Sequence, residues 1–169
     1  MSLAAHLIAQ LDAEHESSRR VIERVTDEML QWRPHEKSMA ALELAIHVAN
    51  LVSWGAMILT TEELDFASDA MKDWKPPTAD DAQGVLAILD QNVAQVRGIL
   101  EGMSDEDLEA IWTMRSGDQV FAADPRIFAF TKWVLSHQSH HRGQLALYLR
   151  LNDVPVPGIF GPSADETEM

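Results

Sequence analysis

Three of the chain's seven histidines fall within the five residues His137-Gln138-Ser139-His140-His141. Residues four apart on a helix stand one above the other on a single face, so His137 and His141 can aim two imidazoles at one point. Imidazole is a common ligand for divalent metals, and with no cysteine in the chain any ion must be held by His, Asp, Glu or water. His47 offers a third imidazole, because it is the only other histidine centred on an apolar helical stripe, between Leu44 and Leu51. Three neutral imidazoles leave coordination positions open to water or substrate, which is the arrangement of a catalytic rather than a structural metal site. His140 sits at the edge of the same face and could stand in for His137 or His141. Glu43, on the stripe with His47, is a further candidate for a closing ligand. The plainer alternative is a set of buried histidines that hydrogen-bond backbone or carboxylate groups, and spacing alone does not separate the two. His6, His15 and His35 lie among charged or turn residues and read as surface histidines.

These side chains need helices to hold them. At about 100° per residue from His137, the residues Phe130, Trp133, Val134, His141, Gln144, Leu145 and Tyr148 share one broad face, while Lys132, Ser139, Arg142 and Arg150 fall opposite. The last long helix is expected from about Pro125 to Leu151, with Asp124 as cap and proline at its first position. An amphipathic helix is expected from about Ser2 to Gln31, ended by Pro34, and a second from about Ser38 to Leu59 with Ser38 as N-cap. The run Thr78-Ala79-Asp80-Asp81 reads as the cap of a third helix to about Glu101, and Ser104 as the cap of a short piece to Ala110. Trp112 to Pro125 is less periodic, with a turn at Gly117-Asp118. The tail from Val154 to Pro162 is too rich in proline and glycine to be helical. Four long helices with almost no period-two alternation predict an all-α chain, a four-helix bundle forming a single domain over residues 1–169.

Charge narrows the partners. There are 13 basic and 27 acidic residues, a formal net charge of −14, which opposes nucleic acid and anionic lipid surfaces. The N-terminus lacks a signal-peptide pattern and no apolar run is expected to approach the ~18 residues of a membrane span, so a cytoplasmic location without membrane attachment is expected. No His-Glu-x-x-His, no Glu-x-x-His, no phosphate-binding glycine loop and no G-x-S-x-G occurs, which disfavours zincin proteases, di-iron carboxylate bundles, nucleotide-dependent transfer and α/β-hydrolases.

Three stretches, taken together, resemble the DinB-like (DinB/YfiT-like) family of helical metalloproteins. They are Trp32-Arg33-Pro34-His35-Glu36-Lys37-Ser38 leading to His47, the run from His137 to Gln144, and Gly158 to Glu166. The most specific is the His-x-x-His-His-Arg-Gly-Gln string. The resemblance implies a four-helix bundle of that type with a non-helical C-terminal tail. It implies a divalent metal, zinc or nickel, on His47, His137 and His141, a homodimer, and in characterised relatives chemistry on low-molecular-weight thiols. The nucleophile would then be a metal-bound water or thiolate, and the absence of cysteine means that a thiol would be a diffusible cofactor. Two readings follow: a metal-dependent S-transferase or hydrolase acting on a small molecule, or a non-catalytic, stress-induced metal-binding helical protein.

Other features read as structural. Trp54, Trp133 and Tyr148 are expected in core packing more than in a pocket, and Arg142 at the surface or a helix contact. Phe128 and Leu135 are expected against another helix or a second subunit. Ile159 and Phe160 are expected to anchor the tail, and Asp165-Glu166-Thr167-Glu168 to be solvated.

Overall fold

The computed structural model describes residues 2–167. Helix α1, Leu3–Ile22, starts at Ser2, whose hydroxyl accepts from the Ala5 amide. It ends well before Gln31. A 3₁₀ turn, Asp27–Met29, follows, and it carries Val25 and Met29 into the core without continuing the helical axis, so apolar spacing alone overstated the helix. The expected second helix is two: α2, Ala41–Asn50, and α3, Ser53–Thr60. Its N-cap is Ala40 rather than Ser38, and the Ala40 amide donates to Glu43 Oε2 at 2.7 Å, the reciprocal half of a capping box. Helix α4 is the short Asp69–Lys72, α5 runs over Ala82–Glu101 and α6 over Asp105–Glu109. The caps at Asp81 and Ser104 are where the sequence places them.

The helical run is interrupted at Leu51–Val52, and side chains take the carbonyls at the end of α2. Asn92 Nδ2 donates to the Ala49 carbonyl, Gln138 Nε2 to that of Val48 and Ser53 Oγ to that of Asn50. A buried carbonyl left unpaired costs about 1–3 kcal/mol, so these bonds allow the break to sit inside the protein. Together Ala41–Thr60 are long and apolar enough to cross a membrane, with mean hydropathy 1.5. That corrects the expectation that no run approaches such a length. Here 56% of the stretch is buried within the protein, and its apolar side chains belong to the shared core.

The region after α6 is a sheet, which the sequence reading missed. Strand β1, Glu63–Asp65, pairs parallel with β2, Ile111–Ser116, and β2 pairs antiparallel with β3, Gln119–Pro125. Only Trp112 and Met114 alternate inward on β2, too short a run to signal a strand, and a bulge in β3 breaks its alternation. Gly117, at φ 56°, supplies the positive φ of the two-residue turn. Helix α7, Arg126–Phe130, six residues of wider π winding, Thr131–Ser136, and α8, His137–Leu151, make one continuous helical run. Pro125 is its N-cap and Asp124 makes no capping bond. Arg126 donates to the carbonyls of Ile58 and Thr61 at the end of α3.

Helices α1, α2, α5 and α8 pack on one another around a core that includes Leu7, Leu11, Leu44, Leu89 and Phe130. Gly55 lets α3 approach α7, because a Cβ there would stand 2.7 Å from the Phe130 ring. The face of α8 opposite the histidines is covered by α1. Leu135 is buried against it, and Arg142, only 3% exposed, pairs with Glu14 and bonds Ser18 and Ser139. Phe128 remains 53% exposed.

The tail lies along α1 and α8. Its acidic residues are not free in solvent: Glu166 accepts from Arg20 at 2.5 Å and Arg24 at 2.6 Å, and Asp165 pairs with Arg150. Pro157, Gly158 and Ile159 pack inward while Phe160 is 82% exposed, with the Arg142 guanidinium 5.5 Å from its ring. Ile159 and the ion pairs, not Phe160, are therefore the anchor. Glu168 lies outside the described residues.

Candidate metal centre

His47 lies in the last turn of α2, and His137 and His141 lie one turn apart at the start of α8. Gln138, 1% exposed, bonds from α8 to the carbonyl of the residue after His47. That bond sets the two helices in register, so the α8 pair faces the α2 imidazole. One ring nitrogen from each of His47, His137 and His141 lies within 4.8 Å of the others. The Nε2 atoms of His137 and His141 are 3.0 Å apart, close to the roughly 3.3 Å that a tetrahedral ion with ~2.05 Å bonds imposes on two nitrogen ligands. The His47 ring stands edge-on to both partners, with centroids at 5.4 and 4.5 Å.

The other candidates are placed elsewhere. Glu43 is engaged by the Ala40 amide and lies 4.0 Å from Arg33. His140 is exposed and its Nε2 meets the Gln144 amide at 3.2 Å. Neither belongs to the cluster, which among the described residues contains the three imidazoles alone. His6 is exposed, His35 Nδ1 accepts from the Lys37 amide, and His15 pairs with Asp90 beside Arg19.

Spacing put Gln144 on the face of His137 and His141, and it closes the His-x-x-His-His-Arg-Gly-Gln string, but its bond to His141 was not foreseen. Its Oε1 lies 2.8 Å from His141 Nδ1 and can only accept, so it fixes the proton on Nδ1 and leaves Nε2 as a lone pair. With His141 so fixed, the 3.0 Å contact makes His137 Nε2–H the donor in the metal-free chain. His137 Nδ1 is then a buried nitrogen without a partner. The Trp133 backbone favours a proton there, although the geometry falls short of a hydrogen bond. An ion would relieve this arrangement by taking both Nε2 lone pairs.

Electrostatics keep the rings neutral. Burial, then the proximity of His141 and His137, pushes the His47 pKa down to about 4. Burial is also the largest cause lowering His137 and His141, with the Gln144 bond opposing it at His141. Neutral imidazole is the ligating form. The same shifts set a pH dependence. The unfolded chain takes protons near pH 6.5 and the folded one only near 4 at His47, so the metal-free protein loses stability as pH falls through that window. Melts of chelator-treated protein should show a loss of about 1 kcal/mol from pH 7.5 to 5, allowing for solvent at the partly exposed ring. His47→Gln should flatten that slope.

Two hollows flank the cluster. One, of about 460 Å³, has His47 in its wall with Met39, Ile46, Trp54 and the Trp74-Pro76-Pro77 segment. The other, about 400 Å³, has His141, Gln144, Tyr148 and Lys37 in its wall, and Met39 lies between the two. Trp54 thus lines the pocket as well as packing against the core, as expected of it. Tyr148 combines both roles, since it packs on Trp32 at 5.3 Å, donates to the Met39 carbonyl and lines the second hollow. The tail does not cover either hollow, because Ile159 and Phe160 lie with Val21 and Ala146 on the far side of α8.

Helices that converge three imidazoles beside open hollows define a mostly helical protein with a possible metal site. The particular family follows from comparison: residues 10–145 match the DinB superfamily, and the chain belongs to it. It is 25% identical over 162 residues to the uncharacterized protein YrdA of Bacillus subtilis (strain 168), covering 95% of this chain and 90% of that one. The DinB-like protein YjoA of B. subtilis superposes with a TM-score of 0.69 at 16% identity, over 96% of this chain and 99% of its own. A DinB-like protein of Bacillus cereus ATCC 10987 gives 0.63 at 24%, over 88% and 91%. A member from Exiguobacterium sibiricum 255-15 gives 0.66 at 18%, over 90% and 93%. At these identities the structures attest the fold.

Proposed function

We propose that the protein is a divalent-metal-dependent enzyme of the four-helix DinB/YfiT-like type, with zinc or nickel on His47, His137 and His141. Its reaction would be S-transfer from a low-molecular-weight thiol, or hydrolysis, on a small molecule. One observation carries the reading: three neutral imidazoles converge beside two hollows, with no protein group among the described residues placed to close the site. When bound, the ion supplies Lewis acidity that makes a coordinated water or thiol nucleophilic near neutral pH. The chain supplies the rest. Gln144 holds the His141 tautomer, Gln138 holds the helix register, and the two hollows can seat reactants on either side of the cluster. A fourth protein ligand would favour the non-catalytic reading, but Glu43 and His140 are bonded elsewhere.

Elemental analysis of tag-free protein reconstituted with zinc or nickel should give about one ion per chain, as a single mononuclear site requires. A screen of electrophiles with several thiols, and of esters and amides, should then find turnover that a chelator removes. Metal uptake without any turnover would move the weight to the non-catalytic reading. Gln144→Leu should weaken metal binding about tenfold, the lower end for a group that orients a ligand, since Gln144 is exposed and water can replace it in part. Gln144→Glu keeps an acceptor and should retain affinity in the same titration.

A further inference from the structure

The 460 Å³ hollow says more about its occupant than the metal cluster does. No lysine or arginine lines it, and its polar lining residues are Glu43, His47 and Asn50. Two tryptophans, two prolines, Ile46 and Met39 form the rest, a wall that gains by meeting apolar surface and offers a charge no counterion. Glu43 adds a carboxylate at the side, which disfavours an anionic body.

Asn50 is the informative exception. It lies three residues after His47 on α2, hence on the same face. It is 93% buried, reckoned from its 7% exposure, yet forms part of this wall. Its Oδ1 accepts from Ser53 Oγ at 3.2 Å, whereas its amide nitrogen makes no hydrogen bond among the described residues. That nitrogen is not among the fully buried atoms left without a partner, so it opens onto the hollow, where a water or a ligand oxygen can accept from it. A ligand that satisfies it carries a neutral oxygen acceptor on the side of His47.

We infer that this hollow binds an uncharged, largely aromatic or alkyl compound bearing a carbonyl, with the carbonyl oxygen accepting from Asn50 Nδ2 beside His47. The inference rests on the proposed enzyme reading for its purpose but not for its geometry. It identifies the substrate class as neutral apolar carbonyl compounds such as ketones, esters or amides. The apolar body lies between Trp54 and the Trp74-Pro76-Pro77 segment.

Calorimetric titration of the full chain, chelator-treated, with 2-acetylnaphthalene, 2-ethylnaphthalene and 2-naphthoate tests this directly. The ketone should bind saturably, and more tightly than the carboxylate by at least about tenfold, since burying an unpaired charge costs more than burying a carbonyl. Ile46→Trp, which fills the hollow, should weaken ketone binding by at least about tenfold, and Trp74→Ala, on an exposed segment, should weaken it without touching the core. Asn50→Leu, checked for folding by its thermal melt, should erase the preference for the ketone over 2-ethylnaphthalene. Equal or tighter binding of naphthoate, no ketone binding, or a ketone indifferent to Ile46→Trp and Trp74→Ala overturns the assignment. Zinc titration of the same preparations separates the two ideas. Ligand binding without zinc binding sinks the metalloenzyme reading alone, and zinc binding without ligand binding sinks this inference alone.

Discussion

His137→Ala should lower zinc affinity by more than about 100-fold, beyond the 10–100-fold typical of losing a group that merely orients a ligand. The variant removes one of two nitrogens held 3.0 Å apart, leaving two imidazoles on different helices. The clearest measurement is the thermal midpoint with and without zinc. At a zinc concentration 100 times the dissociation constant, the wild-type chain gains about 2.7 kcal/mol, or roughly 5–10 °C for a chain of this size. In His137→Ala at the same zinc concentration that gain should fall to about 0.4 kcal/mol or less. Without metal the variant should melt close to the wild type, because it also removes a partly buried ring whose Nδ1 has no partner. Zinc affinity equal to that of the wild type would show that the cluster is not the site.

Glu14→Ala should be strongly destabilising although it lies away from the cluster. Arg142 is 3% exposed, and Glu14 is the only carboxylate paired with it among the described residues. Removing one member of a buried ion pair strands the other charge and costs about 3–5 kcal/mol. Glu14 is itself partly exposed, so water can reach the gap and the lower end, about 3 kcal/mol, is expected. That is a fall of roughly 6–12 °C in the melting midpoint. The double change Glu14→Leu with Arg142→Met should recover most of it, because two apolar side chains replace the pair without stranding a charge. Zinc affinity should be unaltered in the folded double variant, since the pair faces α1 and the imidazoles face α2. A double variant as unstable as Glu14→Ala would show that the pair specifies the packing of α1 on α8.

The residues explain why the site was easier to read than the fold around it. His137 and His141 announce themselves by four-residue spacing, and His47 by standing polar on an apolar stripe. That His47 faces the other two follows from helix packing, which no local pattern encodes; the apolar stripe made it a candidate and the family resemblance added weight. The caps at Asp81 and Ser104 were legible because capping is local chemistry. The ends of α1 and α2 were not. Val25 and Met29 keep a helical spacing while sitting in a turn, and the break at Leu51–Val52 is sustained by side chains more than 40 residues away. The hairpin was hidden because its inward alternation amounts to Trp112 and Met114. Arg142 could be placed only at the surface or a helix contact, and the second proved right; its partner, Glu14, is too far off in sequence to be read locally.

The bond from Gln138 to the Val48 carbonyl has a bearing on how this site can diversify. It ties a side chain to main chain, so it is blind to which residue occupies position 48 and to the side chains around it. Ile46 and Asn50 can therefore change, and with them the shape and polarity of the neighbouring hollow, while the spacing of His47 from His137 and His141 is preserved. On the proposed function, specificity and metal geometry are in this way independently variable on the same helix. A lineage could exchange substrates at α2 without having to rebuild its centre.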